Sequence, residues 1–129
     1  MRTLLDTHAL VWWWIDDPRL PAAARNLISD PDTAVLVSAA TAWEIATKHR
    51  LGKWPETEQL LGGFEDYLRQ SRFADLPITV AHARLAGSLP GEHRDPFDRM
   101  IMAQARIENL TVLTGDPVFA QYGVPVIWS

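Results

Sequence analysis

The sequence contains no cysteine, which excludes disulfide bonds, zinc–thiolate sites and thiol catalysis. It has no apolar run long enough to cross a membrane, since the run over residues 9–15 is far shorter than a bilayer requires. No secretory signal is visible. With 129 residues, of which 47% are hydrophobic and 22% charged, the chain is typical of one globular domain over residues 1–129. We expect a cytoplasmic protein with no membrane partner.

A surplus of basic residues is also missing. The 12 Lys and Arg against 16 Asp and Glu give a formal net charge of −4. Simple nucleic-acid-binding modules are more often basic, so the total charge argues against that class. Divalent cations bound to some of the acids would invert the local field, which leaves room for a metal-dependent enzyme.

Short apolar segments alternate with helical patterns along the chain. The segments typical of strands are residues 2–5, 34–37, 76–78, 111–113 and 124–128. The helical patterns are residues 8–15, 21–29, 39–51, 56–72, 80–88, 95–109 and 117–122, and Gly62-Gly63 weakens or bends the fourth of them. This alternation predicts an α/β fold whose parallel sheet is flanked by helices on both faces.

Four acidic residues far apart in the sequence each lie where an apolar run gives way to a helical pattern: Asp6, Glu44, Asp98 and Asp116. In a parallel sheet such junctions gather outside the carboxyl ends of the strands, so we expect these side chains to share one pocket. Clustered carboxylates repel each other and usually need a cation or raised pKa values. Without cysteine, the oxygen ligands favour Mg²⁺ or Mn²⁺.

Each acid also has a simpler interpretation. Asp6 and Asp116 suit the N-cap position of the helix that follows. Glu44 has capping-box spacing from Thr41 and ion-pair spacing to Lys48. Any one of these roles is ordinary, and the metal hypothesis depends on all four acids meeting at one edge of the sheet.

The segment His93 to Arg99 is the densest polar cluster in the chain. Asp95 precedes Pro96, which is typical of an N-cap followed by proline in the first helical position. Asp98 then lies in the first turn of the helix. We therefore assign Asp95 mainly to the cap and Asp98 to the pocket.

Residues beside the acids are candidates for substrate binding. Lys48 continues the helix of Glu44, and Arg99 follows Asp98, so both side chains are placed to hold a phosphate backbone. A solvated helix face is the alternative for such basic residues. Thr114, two residues before Asp116, is placed to hydrogen-bond a water or a phosphate.

Three consecutive tryptophans, residues 12–14, cannot share one buried helical face because successive residues point about 100° apart. We expect at least one of them at the surface, where a large aromatic side chain suggests a partner.

An ordered set of motifs runs along the chain: residues 6–8, residues 38–46 with Lys48, residues 95–99 and 103–105, residues 114–116, and Phe119. In this set the chain resembles the PIN domains of VapC-type toxins from bacterial toxin–antitoxin pairs. The resemblance implies a single PIN-like domain with a five-stranded parallel sheet and a Mg²⁺- or Mn²⁺-dependent endoribonuclease. Asp6, Glu44 and Asp98 would match the three family acids, Asp116 a more variable fourth, and Asp95 an acid of this subgroup that is a further candidate metal ligand.

The resemblance also implies partners and products. The substrate would be RNA, cut to 5′-phosphate and 3′-hydroxyl ends. The toxin would pair with itself and with a VapB-like antitoxin that lays a peptide over the active site. No Ser, Cys or Lys is placed as an obvious covalent nucleophile, so attack by a water that a metal ion activates is the default mechanism.

Other functions are compatible with an acidic pocket. A receiver-type signalling module would need paired acids after the first strand and a lysine after a late strand. Here Asp6 is followed by Thr7, and no lysine follows Lys53. An inactive PIN scaffold that only binds, a DNA nuclease and a phosphomonoesterase are the remaining alternatives.

Overall fold

The five apolar segments form one sheet in the computed structural model, which describes residues 1–129. The strands are β1 (Arg2–Leu5), β2 (Ala34–Ser38), β3 (Ala74–Leu76), β4 (Thr111–Leu113) and β5 (Val126–Ile127). Their order in the sheet is β3-β2-β1-β4-β5, and every neighbouring pair is parallel. The predicted α/β class and five-stranded parallel sheet are confirmed.

The connections between strands are helical. The helices are α1 (Thr7–Trp14), α2 (Ala22–Ser29), α3 (Ala39–Arg50), α4 (Glu58–Gly62), α5 (Phe64–Ser71), α6 (Val80–Ser88), α7 (Pro96–Glu108) and α8 (Val118–Gln121). The single helical pattern over residues 56–72 becomes a 3-10 turn (Pro55–Thr57), α4 and α5, because the chain leaves the helical conformation at Gly63. No helix combines the length and apolar character needed to span a membrane.

The third strand lies two residues earlier than predicted. It pairs with β2 from Leu36–Ala74 to Ser38–Leu76. Pro77, the next residue, has no N–H to donate to a neighbouring strand, which explains why the strand ends there.

Adjacent strand residues face opposite sides of the sheet and build two apolar layers. Leu5 and Leu113 belong to a cluster with residues of α1 to α5, whereas Leu4 and Val112 belong to a cluster with residues of α7 and α8. All four are fully buried. Because helices cover both faces, the strands are apolar on both sides, as the sequence pattern indicated.

A buried polar link joins the two layers beside the carboxyl edge of the sheet. Ser38 is the N-cap of α3, and its hydroxyl accepts a hydrogen bond from the Ala40 N–H at 2.9 Å. The same hydroxyl donates to Gln104 Oε1 of α7 at 2.6 Å. Gln104 Nε2 in turn donates to the Pro77 carbonyl at 3.3 Å. This link fixes α3 relative to α7.

Replacing Ser38 with alanine is expected to destabilise the fold by about 3 kcal/mol, because it removes a helix cap and leaves a buried Gln104 oxygen unsatisfied. Urea unfolding measures the change. Ser29→Ala is the matched control, since the Ser29 hydroxyl contacts only exposed carbonyls of its own helix. A Ser38 variant as stable as the Ser29 variant would contradict the role assigned to the link.

Candidate active site

The four predicted acids meet at the carboxyl edge of the sheet. Asp6 follows β1 directly, Glu44 lies in the second turn of α3, Asp98 in the first turn of α7, and Asp116 shortly after β4. All four line one cleft of about 550 Å³. Asp95 and Lys48 line the same cleft, so the structure brings together every acid that the sequence singled out.

Asp6 has the capping role that the sequence offered for it, and it also lines the cleft. It is the N-cap of α1, with Oδ1 accepting from the Thr7 N–H at 2.7 Å. Oδ2 accepts from the Thr114 hydroxyl at 2.7 Å. Burial raises the pKa of the Asp6 carboxyl, although these hydrogen bonds oppose the rise. A cation at this carboxylate would offset the cost of its buried charge.

Thr114, a predicted substrate-binding residue, is engaged in hydrogen bonds within the protein. Its side chain is buried, and its hydroxyl proton is donated to Asp6. The same hydroxyl accepts from the Asp116 N–H at 3.0 Å. Thr114 therefore positions Asp6 and the turn that carries Asp116.

Glu44 is a buried carboxylate whose hydrogen bonding is incomplete. Lys48 Nζ donates to Oε2, which confirms the predicted pair, but Oε1 is buried without any partner. Burial alone would lower the pKa of Lys48, and the contact with Glu44 outweighs it and raises that pKa. An unpartnered buried carboxylate oxygen facing a cleft fits a bound cation, because burying a charge without a partner is costly.

Asp95 has the capping role assigned to it. Its Oδ1 accepts from the Phe97 N–H at 2.9 Å and the Asp98 N–H at 3.2 Å. Pro96 follows as the first residue of α7. This cap fixes the helix start and, with it, the position of Asp98 over the cleft.

Asp98 is a second acid of the cleft whose carboxyl has a raised pKa. Its Oδ2 lies 2.8 Å from His93 Nε2. Burial raises the pKa of the Asp98 carboxyl to about 7, against the lowering effect of the His93 contact. Repulsion from the neighbouring carboxylates of Asp6, Asp95 and Glu44 adds to the rise. The acids are therefore close enough to sense one another's charge.

The donor set fits a hard divalent cation. Carboxylate oxygens are the ligands that Mg²⁺ and Mn²⁺ prefer, and one of them, Glu44 Oε1, has no protein partner. No three of the acidic or histidine side chains are arranged closely enough to enclose an ion by themselves. An ion in the cleft would therefore need water molecules to complete its coordination, and Mg²⁺ keeps several of its waters when it binds to proteins.

Arg99, a predicted substrate-binding residue, does not line the cleft. Its guanidinium donates to three backbone carbonyls: Ala86 at 2.9 Å, His93 at 3.0 Å, and Leu89. With its donors engaged in this way, Arg99 holds the loop that carries His93 against α6 and α7. It contributes to the site only through that loop.

Replacing Arg99 with lysine is expected to destabilise the fold by about 2 kcal/mol, because an ammonium cannot reproduce the three-way contact of a guanidinium. Urea unfolding again provides the measurement. Arg84→Lys on the exposed surface of α6 is the control. If both variants unfold at the same urea concentration, the contacts of Arg99 do not hold the loop.

The cleft also contains residues that the sequence analysis did not select. His8, Trp12, Arg19 and Trp128 line it beside the acids. His8 and Trp12 are four residues apart on a helix that begins after Asp6. Their spacing therefore indicates that both side chains lie on the same face of that helix. Trp128 and Arg19 come from segments that only the tertiary fold brings to the cleft.

Comparison with known proteins agrees with this architecture. Residues 3–125 match the PIN domain family. Ribonuclease VapC16 of Mycobacterium tuberculosis is 41% identical over 73 residues, which cover 54% of this chain and 50% of that protein. The matched segment thus spans half the length of this relative.

Solved structures show the same fold. A chain of VapBC2 from Rickettsia felis, bound to a DNA fragment from their promoter, superposes with a TM-score of 0.73 at 18% identity over 100% of both chains. A chain of VapBC-1 from nontypeable Haemophilus influenzae gives a TM-score of 0.69 at 18% identity, covering 98% of this chain and 97% of its own. With the family match over nearly its whole length, the chain belongs to the PIN domain family.

Proposed function

We propose that this protein is a divalent-metal-dependent endoribonuclease of the VapC type and the toxin of a toxin–antitoxin pair. The observation that carries the proposal is the acidic cleft, in which Asp6, Glu44, Asp98 and Asp116 meet and Glu44 Oε1 lacks a partner. The similarity to a ribonuclease at 41% identity over part of the chain supports the choice of RNA as substrate.

Asp6 and Asp98 are the proposed principal ligands of Mg²⁺ or Mn²⁺, and Glu44 and Asp116 would complete the set, with Asp95 at its edge. A divalent cation, when bound, supplies charge neutralisation and lowers the pKa of water, which is the chemistry that phosphodiester hydrolysis needs. No Ser or Cys lines the cleft, and its one lysine, Lys48, is ion-paired with Glu44, so attack by water is the proposed route.

The protein's own part is to hold these carboxylates in place. Thr114 fixes Asp6 by a hydrogen bond at 2.7 Å, and His93 contacts Asp98 at 2.8 Å. Lys48 supplies positive charge beside Glu44 and lines the cleft, where a phosphate of the substrate would lie. Orientation of this kind contributes to catalysis because the groups do not have to reorganise during the reaction.

The proposed partners follow from the family. Its structural neighbours are chains of VapBC complexes, which supports a VapB-like antitoxin as a protein partner. We also propose a homodimer, as the resemblance to VapC toxins implies. Because the proposed substrate is cellular RNA, we propose that the protein acts in the cytoplasm.

A single assay separates the proposed function from its alternatives. The purified protein is incubated with a labelled single-stranded RNA, the matching DNA and p-nitrophenyl phosphate, each in Mg²⁺, in Mn²⁺ and in excess EDTA. We expect cleavage of the RNA alone, with 5′-phosphate and 3′-hydroxyl ends, and none in EDTA. Full activity in EDTA, or intact RNA with both ions, would overturn the proposal, and cleavage of the other substrates would favour a DNA nuclease or a phosphatase.

A further inference from the structure

One side of the acidic cleft is aromatic. His8, Trp12 and Trp128, here called the aromatic wall, line the cleft together with the acids. The ring centroids of His8 and Trp12 are 5.6 Å apart, and those of Trp12 and Trp128 are 6.0 Å apart. Arg19 lines the same cleft, with its guanidinium carbon 4.7 Å from the centroid of Trp12.

The wall is attached to the same junctions that carry the acids. His8 and Trp12 are one turn apart on α1, the helix that Asp6 caps. Trp128 lies against Gly115, next to Asp116, so closely that a Cβ on Gly115 would be 2.8 Å from the indole ring. The absence of a side chain at Gly115 therefore lets the ring of Trp128 reach the cleft.

Trp12 and Trp128 pack against the edge of the core, as Trp14 does, but their polar groups differ from that of Trp14. The indole N–H of Trp14 donates to Ser71 Oγ at 2.9 Å, and its ring packs against Phe64 and Tyr67. The indole N–H groups of Trp12 and Trp128 have no acceptor in the protein, and both side chains are partly exposed. Buried tryptophans usually find such a partner, so the indole N–H groups of Trp12 and Trp128 are left to hydrogen-bond water or a ligand at the cleft.

We propose that the aromatic wall is a subsite that stacks an unpaired nucleobase next to the phosphate to be cut. This inference rests on the proposed ribonuclease function and assigns it a base-binding surface. Aromatic side chains stack on any base because every base has a π-face, and a base within a duplex has no free face to offer. Arg19, which Asp17 holds through contacts at 3.0 and 2.8 Å, adds positive charge beside the wall for a flanking phosphate.

The test removes the base and the ring separately and then together. The kcat/KM of the wild-type protein is measured on a series of oligoribonucleotides. Each carries one abasic position, which moves stepwise across the cut from one substrate to the next. We expect kcat/KM to fall roughly 10- to 100-fold at one position beside the cut. Trp12→Ala or Trp128→Ala should cause a loss of similar size on the intact RNA and little further loss on the abasic RNA. Trp12→Phe should recover most of the activity.

Trp43→Ala is the matched control, since Trp43 is 56% exposed and lies outside the cleft lining. Circular dichroism and thermal unfolding check that each variant is folded. The proposal is overturned if the abasic position has no effect on the kcat/KM of the wild-type protein wherever it is placed. It is also overturned if both alanine variants cut intact RNA at the wild-type rate, and the wall would then be a candidate contact for a protein partner. RNA left uncut by the wild-type protein would instead remove the proposed function itself.

Discussion

Asp6→Asn and Asp98→Asn are each expected to abolish RNA cleavage while the fold survives. Each change removes one negative charge from the cleft and with it a proposed metal ligand. Losing about 4 kcal/mol of charge stabilisation in the transition state lowers the rate roughly a thousandfold. The fold should persist because asparagine caps a helix about as well as aspartate, so the cap of α1 is kept.

Rates with a labelled RNA in Mn²⁺ measure the loss, and thermal unfolding reports the fold. Asp75→Asn, at an exposed acid of β3 outside the cleft, is the matched control and should cut at the wild-type rate. Variants that cut RNA within tenfold of the wild type would remove these acids from the mechanism. Unfolding of both variants would leave Asp6 and Asp98 with structural roles only.

Raising the pH from 5 to 8 in EDTA is expected to destabilise the protein, and Mn²⁺ is expected to reverse this effect. The pKa of Asp98 is raised from its ordinary 3.8 to about 7 in the folded protein, so the folded state holds a proton that the unfolded state has released. The stability that this group contributes is complete below about pH 4 and is lost as the pH rises through 7. The raised pKa of Asp6 acts in the same direction.

Divalent ions bind the deprotonated carboxylates, so the stabilisation by Mn²⁺ should grow across the same pH range. At a hundred times its Kd an ion adds about 2.7 kcal/mol. Thermal unfolding at pH 5, 6, 7 and 8, with EDTA or Mn²⁺, gives both trends. In Asp98→Asn the pH slope in EDTA and the gain from Mn²⁺ should both shrink. A melting temperature in EDTA that does not change between pH 5 and pH 8 would contradict the shift at Asp98.

The fold was predictable because its strands are buried on both faces. Apolar runs between helical patterns indicated all five strands. Because strand-to-helix junctions gather at one edge of a parallel sheet, the sequence also predicted that four acids share one cleft: Asp6, Glu44, Asp98 and Asp116. The spacing around Pro96 also separated the capping acid Asp95 from Asp98, and the hydrogen bonds of Asp95 bear this out. These features depend on local pattern and chain direction, which the sequence carries directly.

Two candidate site residues make contacts that the sequence analysis did not predict. Arg99 was expected at the substrate because it follows Asp98, and its guanidinium donates to the carbonyls of residues 86, 89 and 93. Thr114 was expected to hydrogen-bond a water or a phosphate, and its hydroxyl donates to Asp6, which is 108 positions away in the chain. Neither contact has a local signature, because each depends on where another segment lies after folding.

The central position of β1 has a consequence for how the protein is made. Thr3 in β1 pairs with Thr111 in β4, so the middle of the sheet joins segments that lie 108 positions apart in the chain. Contacts between such distant segments form late because a long loop must close first. On the ribosome, Asp6 gains its Thr114 partner only after β4 has been translated. The acidic cleft is therefore incomplete in the nascent chain until that point.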